Sequence, residues 1–225
     1  MRWSHAAGGG IPRLSRMSVD DRRAALVQSA YRVIADHGVE GATTRRICAH
    51  AGMPLASFHY AFESRTALLS SVMQTAVPED LNQMLETLVP DGDCPEADGA
   101  EPADSRVLLQ RMLTEQLDVF YSMVKSDPGR MQATISLGIY AHNHPELRRV
   151  GKAMYEQLYA VAATGLRIAG ELTGVRWRTP VENIAPVMIA AATSVTLIYL
   201  STADDAVIDQ VLTTLVQQIL SFVDN

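Results

Sequence analysis

The sequence predicts an all-α protein in two parts: an N-terminal three-helix unit and a larger helical bundle behind it. Three observations carry that expectation. Apolar residues recur at helical spacing from Leu26 to Val223. Helix start signals punctuate the chain, with a capping side chain ahead of proline in Asp127-Pro128, Asn143-His144-Pro145-Glu146 and Thr179-Pro180-Val181-Glu182. Charge then divides the molecule. Residues 1–65 hold nine arginines and five acids, whereas the remaining 160 hold ten basic and twenty acidic side chains, so a net charge of −6 hides a basic front end. That front end is basic through arginine alone, the side chain that forks onto phosphate and guanine.

Residues 1–17, MRWSHAAGGGIPRLSRM, show no periodicity and a triple glycine, and are expected to form a disordered arm. The alternative is an arginine-bearing arm that enters a minor groove. No apolar stretch of about 7–15 residues stands there to make a secretory signal. A first helix runs from about Val19 to His37, favoured at its start by Asp20 and Asp21 and ended by Gly38, with Leu26, Ala30, Val33 and Ile34 as its apolar stripe. Thr43 to Phe62, TTRRICAHAGMPLASFHYAF, then reads as helix, turn, helix. Thr43 can accept from the free N–H groups of a first turn, and Gly52 can take the left-handed conformation that ends that short helix. Pro54 suits the first turn of the next helix, Leu55–Phe62, where Phe58 and Phe62 fall on one face as anchors. Ser57, His59 and Tyr60 are left pointing elsewhere on a short polar helix, which a major groove about 12 Å wide admits.

On these residues, Arg23 to Leu69 resembles the N-terminal DNA-binding domain of the TetR family of transcriptional repressors. The string comprises the opening helix ending His37-Gly38, Ala42-Thr43-Thr44-Arg45-Arg46-Ile47-Cys48-Ala49, Ala51-Gly52, and Ala56-Ser57-Phe58-His59-Tyr60-Ala61-Phe62 running on through Glu63-Ser64-Arg65-Thr66-Ala67-Leu68-Leu69. It covers about a fifth of the chain. The DNA-facing residues expected within it are Thr43, Arg45, Arg46, Pro54, Leu55, Ser57, His59, Tyr60 and Arg65. Thr43, Arg45, Tyr60 and Arg65 are assigned to phosphate, and Ser57 and His59 to the base edges. Four positions depart from the family's usual pattern. His59 stands where Tyr is usual, Arg46 where an acid is, Pro54 where Ser or Thr caps, and Arg65 where Lys is, so the operator sequence does not carry over.

The expected domains are the arm at 1–17, the helix-turn-helix unit at 18–65, and a helical ligand-binding and dimerisation domain at 66–225. Ser64 caps a fourth helix with Leu68, Leu69, Val72, Met73, Ala76 and Val77 inward. Pro78 then means either a kink or a new helix carrying Leu81, Met84, Leu85 and Leu88. Residues 89–104, rich in proline, glycine and acids, form a loop in which Cys94 is an exposed, inert thiol. Cys48 reads as a small core residue; two cysteines make no disulfide framework, which suits a reducing cytoplasm. Helical spacing resumes at Ser105, and three further starts follow at Asp127, Asn143 and Thr179. Gly170 and Gly174 mark the end of the long helix, and Thr179–Glu182 makes a full capping box. The 21 uncharged residues from Asn183 to Ala203 are long enough to span a membrane. Their hydroxyls and Pro186, with no second such segment, favour a helix buried on all sides in a bundle and no membrane partner. The last helix, capped by Thr202–Asp205, carries two apolar rows, wider than one neighbour needs. A homodimer through residues 180–203 and 205–223 of each chain is therefore expected, as the resemblance also implies.

Catalytic patterns are weak. Asp204, Asp205 and Asp209 have no facing acidic cluster, and acids in a first helical turn are ordinary. His142 and His144 lack a third ligand. No glycine-rich phosphate loop or nucleophile elbow appears, and no metal or cofactor is expected. The middle of the chain reads instead as a ligand chamber, with Met84, Met112, Gln116, Tyr121, Tyr140, Tyr155, Met188 and Thr193 as candidate contacts, though core packing is the plainer role for each. No basic residue falls on an inner face, so the effector is expected to be largely apolar, neutral or cationic. The function these features imply, with the resemblance, is a cytoplasmic ligand-responsive repressor released from operator DNA by a small molecule. The alternative is an all-helical dimeric small-molecule enzyme whose N-terminus merely looks like a helix-turn-helix; Arg45 and Arg46 beside an exposed Ser-His-Tyr surface argue against it.

Overall fold

The computed structural model describes residues 17–77, 79, 82 and 102–224. The expectations for residues 1–16, for Pro78 and the apolar positions 81, 84, 85 and 88, and for the loop up to residue 101 lie outside the described residues. Within them the fold is all-α: helices α1 (Val19–Gly41), α2 (Thr44–His50), α3 (Ala56–Ala61), α4 (Arg65–Ser71), α5 (Pro102–Ser126), α6 (Pro128–Asn143), α7 (Arg148–Thr173), α8 (Val181–Thr202) and α9 (Asp205–Leu220). A lone antiparallel bridge joins Trp177 to Val223.

Most starts follow the capping chemistry of the sequence. The hydroxyls of Ser18, Thr43 and Ser64 accept from the backbone N–H three residues on, opening α1, α2 and α4. Asp127 accepts from the Arg130 N–H with Pro128 at the first helical position of α6, and Asp204 accepts from Ala206 and Val207 at the start of α9. α1 does not stop at His37. Gly38 takes φ 70° and ψ 169°, and the chain then winds one more turn to Gly41, so the glycine makes a kink inside the element. α4 passes without a break into a π-helical turn, Val72–Ala76. α5 begins at Pro102, three residues ahead of the expected start.

Two starts differ from the sequence reading. Asn143-His144 does not cap α7. A 3-10 turn, Pro145–Leu147, intervenes, and the His144 ring stacks on Tyr140 at 3.7 Å while its Nδ1 lies 2.7 Å from the Tyr140 carbonyl. The capping box of α8 does not form either. Pro180 is the cap and supplies no side-chain bond, while the Glu182 carboxylate accepts from Arg167 on α7 at 3.0 Å. Nor does Gly170 end α7; Gly174 does, at φ 71°. Gly170 lies inside the helix, where a Cβ would sit 2.6 Å from Trp177 Nε1.

The first hydrophobic cluster joins Leu26, Ile34, Ile47, Phe58, Leu68 and Met73 to Ala133, Leu137 and Ala141 of α6 and to Met154 of α7. The three-helix unit therefore shares its core with the bundle. Two further clusters fill the space among α5, α7, α8 and α9. The two apolar rows of α9 are mostly covered within the protomer, with Ile208, Leu212, Leu215, Val216, Ile219 and Leu220 buried and Gln210, Thr213, Thr214, Gln217 and Gln218 outward. α8 is the opposite of its expectation. It is not buried on all sides: Ala190, Ser194, Leu197 and Leu200 stand exposed, and much of the rest is half-buried.

Candidate nucleic-acid interface and inner chamber

The turn between α2 and α3 is set by backbone bonds. Met53 N–H donates to Cys48 O at 2.9 Å, with Gly52 at φ 64°, and Ser57 and Phe58 N–H donate back to Pro54 and Leu55. α3 thus begins just after Pro54 and Leu55, which remain exposed ahead of it. Phe58 is buried as the anchor, touching Phe62 at 5.9 Å between ring centroids. His59 stands exposed with its ring edge-on to Phe58, Tyr60 is 75% exposed, and Ser57 is half-buried beside them. Arg45 is exposed, and Thr43 is exposed while holding the Arg46 N–H at 3.3 Å. Arg46 is also exposed, with its guanidinium drawn to the Gly41 carbonyl at 2.7 Å. Of the residues expected to face DNA, Thr43, Arg45, Arg46, Pro54, Leu55, His59 and Tyr60 therefore stand exposed.

Arg65 does not. Its Nε donates to Ala42 O at 3.1 Å, its Nη2 to Val39 O, and its Nη1 to the Tyr140 hydroxyl at 3.0 Å. Carbonyls at the end of a helix run short of intrahelical donors, and this guanidinium serves Ala42 O, adds to the Ala42 N–H bond on Val39 O, and reaches α6. Its three nitrogens thus engage the junction of α1, α4 and α6, where the sequence reading gave it to phosphate. Arg23, not singled out in the sequence, plays a similar part, with Nη1 on Ala61 O at 2.9 Å, Nη2 on Ser71 Oγ at 3.1 Å, and the guanidinium 4.3 Å from the Phe62 ring centroid. Such roles have no sequence signature because the acceptors are mostly backbone.

The second site is a cavity of about 230 Å³ among α5 to α9. Of the candidate contacts, Met112, Gln116, Tyr155, Met188 and Thr193 line it. Tyr121 and Tyr140 do not. Tyr121 donates to the Asp205 carboxylate, with Lys125 Nζ 4.4 Å from its ring centroid, so burial and then that carboxylate push its phenol well above the ordinary range. Tyr140 faces the Arg65–His144 junction instead. Met84 lies outside the described residues. Phe120, Thr134 and Thr196 also line the chamber and were missed, although Phe120 follows Met112 and Gln116 at i, i+4, i+8 on α5. No Asp, Glu, Lys, Arg or His is among the lining residues. Burial raises the Tyr155 phenol, with Tyr159 adding to it, so it stays a neutral hydroxyl.

Three of the five acids and histidines weighed for catalysis have structural employment: Asp204 caps α9, Asp205 holds Tyr121, and His144 stacks on Tyr140. Among the described residues no group of three or more His, Cys, Asp or Glu is placed to hold a metal ion.

Residues 26–72 match the model of the bacterial regulatory proteins of the tetR family. Over those residues the chain is similar to the N-terminal domain of tetR-family regulators. A relative at 32% identity over 141 residues is the HTH-type nicotine-responsive transcriptional repressor HdnoR of Paenarthrobacter nicotinovorans; the match covers 62% of this chain and 64% of that protein. The chain thus spans less than two thirds of that relative's length. Solved structures extend the fold likeness beyond the tetR-family domain. A transcriptional regulator from Rhodococcus sp. Rha1 matches with TM-score 0.62 at 16% identity, over 90% of this chain and 98% of that one. A TetR transcription regulator from Haloarcula marismortui ATCC 43049 matches with TM-score 0.63 at 14% identity, over 91% and 100%. The matched model and the 32% relative are of transcriptional regulators, and the solved structures, at 14–16% identity, bear on the fold alone.

Proposed function

We propose that the protein is a ligand-responsive transcriptional repressor that binds operator DNA in the cytoplasm as a homodimer and is released by a small, largely apolar molecule. The observation that supports this best is one helix with two faces. α6 contributes Met131, Thr134 and Ile135 to the chamber, and it packs along α1 and contributes Ala133, Leu137 and Ala141 to the tetR-family core. Whatever fills the chamber pushes on a helix that belongs to the DNA-binding unit. The name of the 32% relative, a nicotine-responsive repressor, supports the same class of response here.

Thr43, Arg45, Arg46 and Tyr60 are assigned to phosphate, and Ser57 and His59 to base edges, with Pro54 and Leu55 ahead of them at the groove. The dimer is assigned to residues 180–203 and 205–223, chiefly to α8, since most of α9's apolar surface is used within the protomer. An interface of about 800 Å² per partner is ordinary for a stable pair. The test is selection of bound DNA from a random pool by the full chain. Enrichment of a two-fold-related sequence, with half-sites about 34–36 Å apart or a multiple of that, is the expected result. A pool that shows no enriched sequence would refute the reading.

A further inference from the structure

We infer that Gln116 is the polar reader of the chamber, and that the effector is an uncharged, mostly apolar molecule carrying one N–H or O–H donor. This rests on the proposal that the chamber is the effector site, and it names the chemistry that the site selects.

The walls exclude a charged ligand. With no Asp, Glu, Lys, Arg or His among the described lining residues, a bound ion would give up its hydration and meet no counter-charge. Aromatic faces are also scarce for a cation, because Phe120 and Tyr155 are the two rings in the lining. The polar groups among the described lining residues are Gln116, Thr134, Tyr155, Thr193 and Thr196, and they differ in what they have left to offer. The Thr193 hydroxyl donates to Ile189 O at 2.8 Å, and the Thr196 hydroxyl to Ala192 O at 2.9 Å, so both hydrogens serve their own helix. Gln116 differs. Its Oε1 is buried and has no hydrogen-bond partner in the protein. A buried acceptor in that state is a group that a bound molecule must satisfy, and one that penalises a molecule unable to do so.

The side chain sits one helical turn from both Met112 and Phe120 on α5, so it enters the cavity flanked by apolar surface. At about 30 Å³ per water, the cavity of about 230 Å³ holds some eight water volumes, which suits a molecule of one or two rings. One polar handle on a compact apolar body is the ligand that such walls accept.

The test uses probes of one shape and three chemistries: 1-naphthol, which is neutral with an O–H donor; 1-methoxynaphthalene, which is neutral without one; and 1-naphthoate, an anion. Each is titrated into the full-length wild type, Gln116→Leu and Gln116→Met, with circular dichroism melts to show which variants fold. The wild type should bind the naphthol about tenfold tighter than its methyl ether, and naphthoate not measurably. In whichever apolar variant folds, the ratio should fall to about one through loss of naphthol affinity, with the ether bound as well as before. Three results would overturn the inference: equal binding of the two neutral probes by the wild type, a ratio that survives in the variants, or naphthoate binding as tightly as naphthol. Failure of all three probes to bind would overturn it as well. Each of these leaves the DNA selection untouched, so the effector chemistry can fail while the repressor reading stands.

Discussion

Arg45 and Arg65 belong to the same basic stretch, yet their guanidinium groups have opposite surroundings. Arg45 stands exposed on α2, whereas Arg65 bonds the carbonyls at the end of α1 and the Tyr140 hydroxyl. Arg45→Ala should weaken binding to every DNA sequence about equally. It should also flatten the log-log salt dependence by about 1.8, which is 0.9 for each of two neutralised phosphates in a dimer. A change confined to one base pair, with the salt slope intact, would show that Arg45 reads sequence instead. Arg65→Ala should leave the salt slope alone and lower the melting temperature, because three acceptors lose a charged donor, at about 1–3 kcal/mol for a buried group left unmet. If Arg65→Ala shifted the slope as Arg45→Ala does, the junction role would be wrong. His59, Tyr60 and the Phe58 anchor were legible in the sequence because helical spacing alone divides them between faces. Arg65 was not, since the backbone acceptors that hold it come together only when α1, α4 and α6 meet.

α6 shows the same division at the scale of an element. Asp127-Pro128 announced its start, and the structure has that cap. Its docking on α1 was invisible, because the partners lie 95 residues apart: Arg32 Nη1 meets Asp127 Oδ2 at 2.5 Å, and Arg32 also holds Asp36 at 2.6 Å. Gly129 permits the approach, since a Cβ there would lie 2.5 Å from Ala35 O. The Arg32 guanidinium holds the Asp127 carboxyl below its ordinary value. A lowered folded-state value means the ionised pair stabilises the fold above the ordinary aspartate range near 3.9, and that contribution is lost as pH falls through the lower value. Asp127→Asn should therefore lower the melting temperature near pH 7 and flatten its decline in acid, while the asparagine can still cap α6. The pair is partly exposed, 37% and 36% by side chain, so the effect should be modest and shrink in salt. A melting temperature lowered by the same amount at every pH would assign the loss to the cap and not to the ion pair. The capping box of α8 failed for a similar reason to the docking of α6. Glu182 had a second suitor in Arg167, fifteen residues earlier on another helix, and no local rule ranks the two.

The whole molecule is organised by what each helix leaves uncovered. α9 is satisfied within the protomer, but α8 keeps Leu197 and Leu200 in water, so Leu197→Glu should convert the dimer to monomer in sedimentation. An unchanged sedimentation coefficient would move the interface elsewhere. A dimer fixes the spacing of its two α3 helices, and those enter successive major grooves only near 34–36 Å. One route from chamber to spacing is the segment that follows the three-helix unit, from residue 64 on. In the described part of that segment, α4 runs into a π turn, Val72–Ala76, whose Val72, Met73 and Ala76 are buried in the shared core. α6 offers a second, direct route, because its chamber face and its α1 face belong to one rigid element. A ligand that moves α6 must move α1 with it or strain the Arg32–Asp127 and Arg65–Tyr140 contacts. Lost register removes base contacts worth about 1–3 kcal/mol each, and a coupling of about 1–3 kcal/mol, 5–150-fold, is enough for release. Coupling is reciprocal, so operator DNA must weaken effector binding by the factor by which effector weakens operator binding. The measurement is calorimetric titration of a compound that releases the operator, into the free dimer and into the dimer saturated with operator. The ligand dissociation constant should rise in the second titration by the factor seen for DNA in the first direction, and Asp127→Asn should reduce that factor if α6 carries the signal. Equal ligand affinities in the two titrations would mean that the chamber and the DNA face do not communicate, and that release must have another cause.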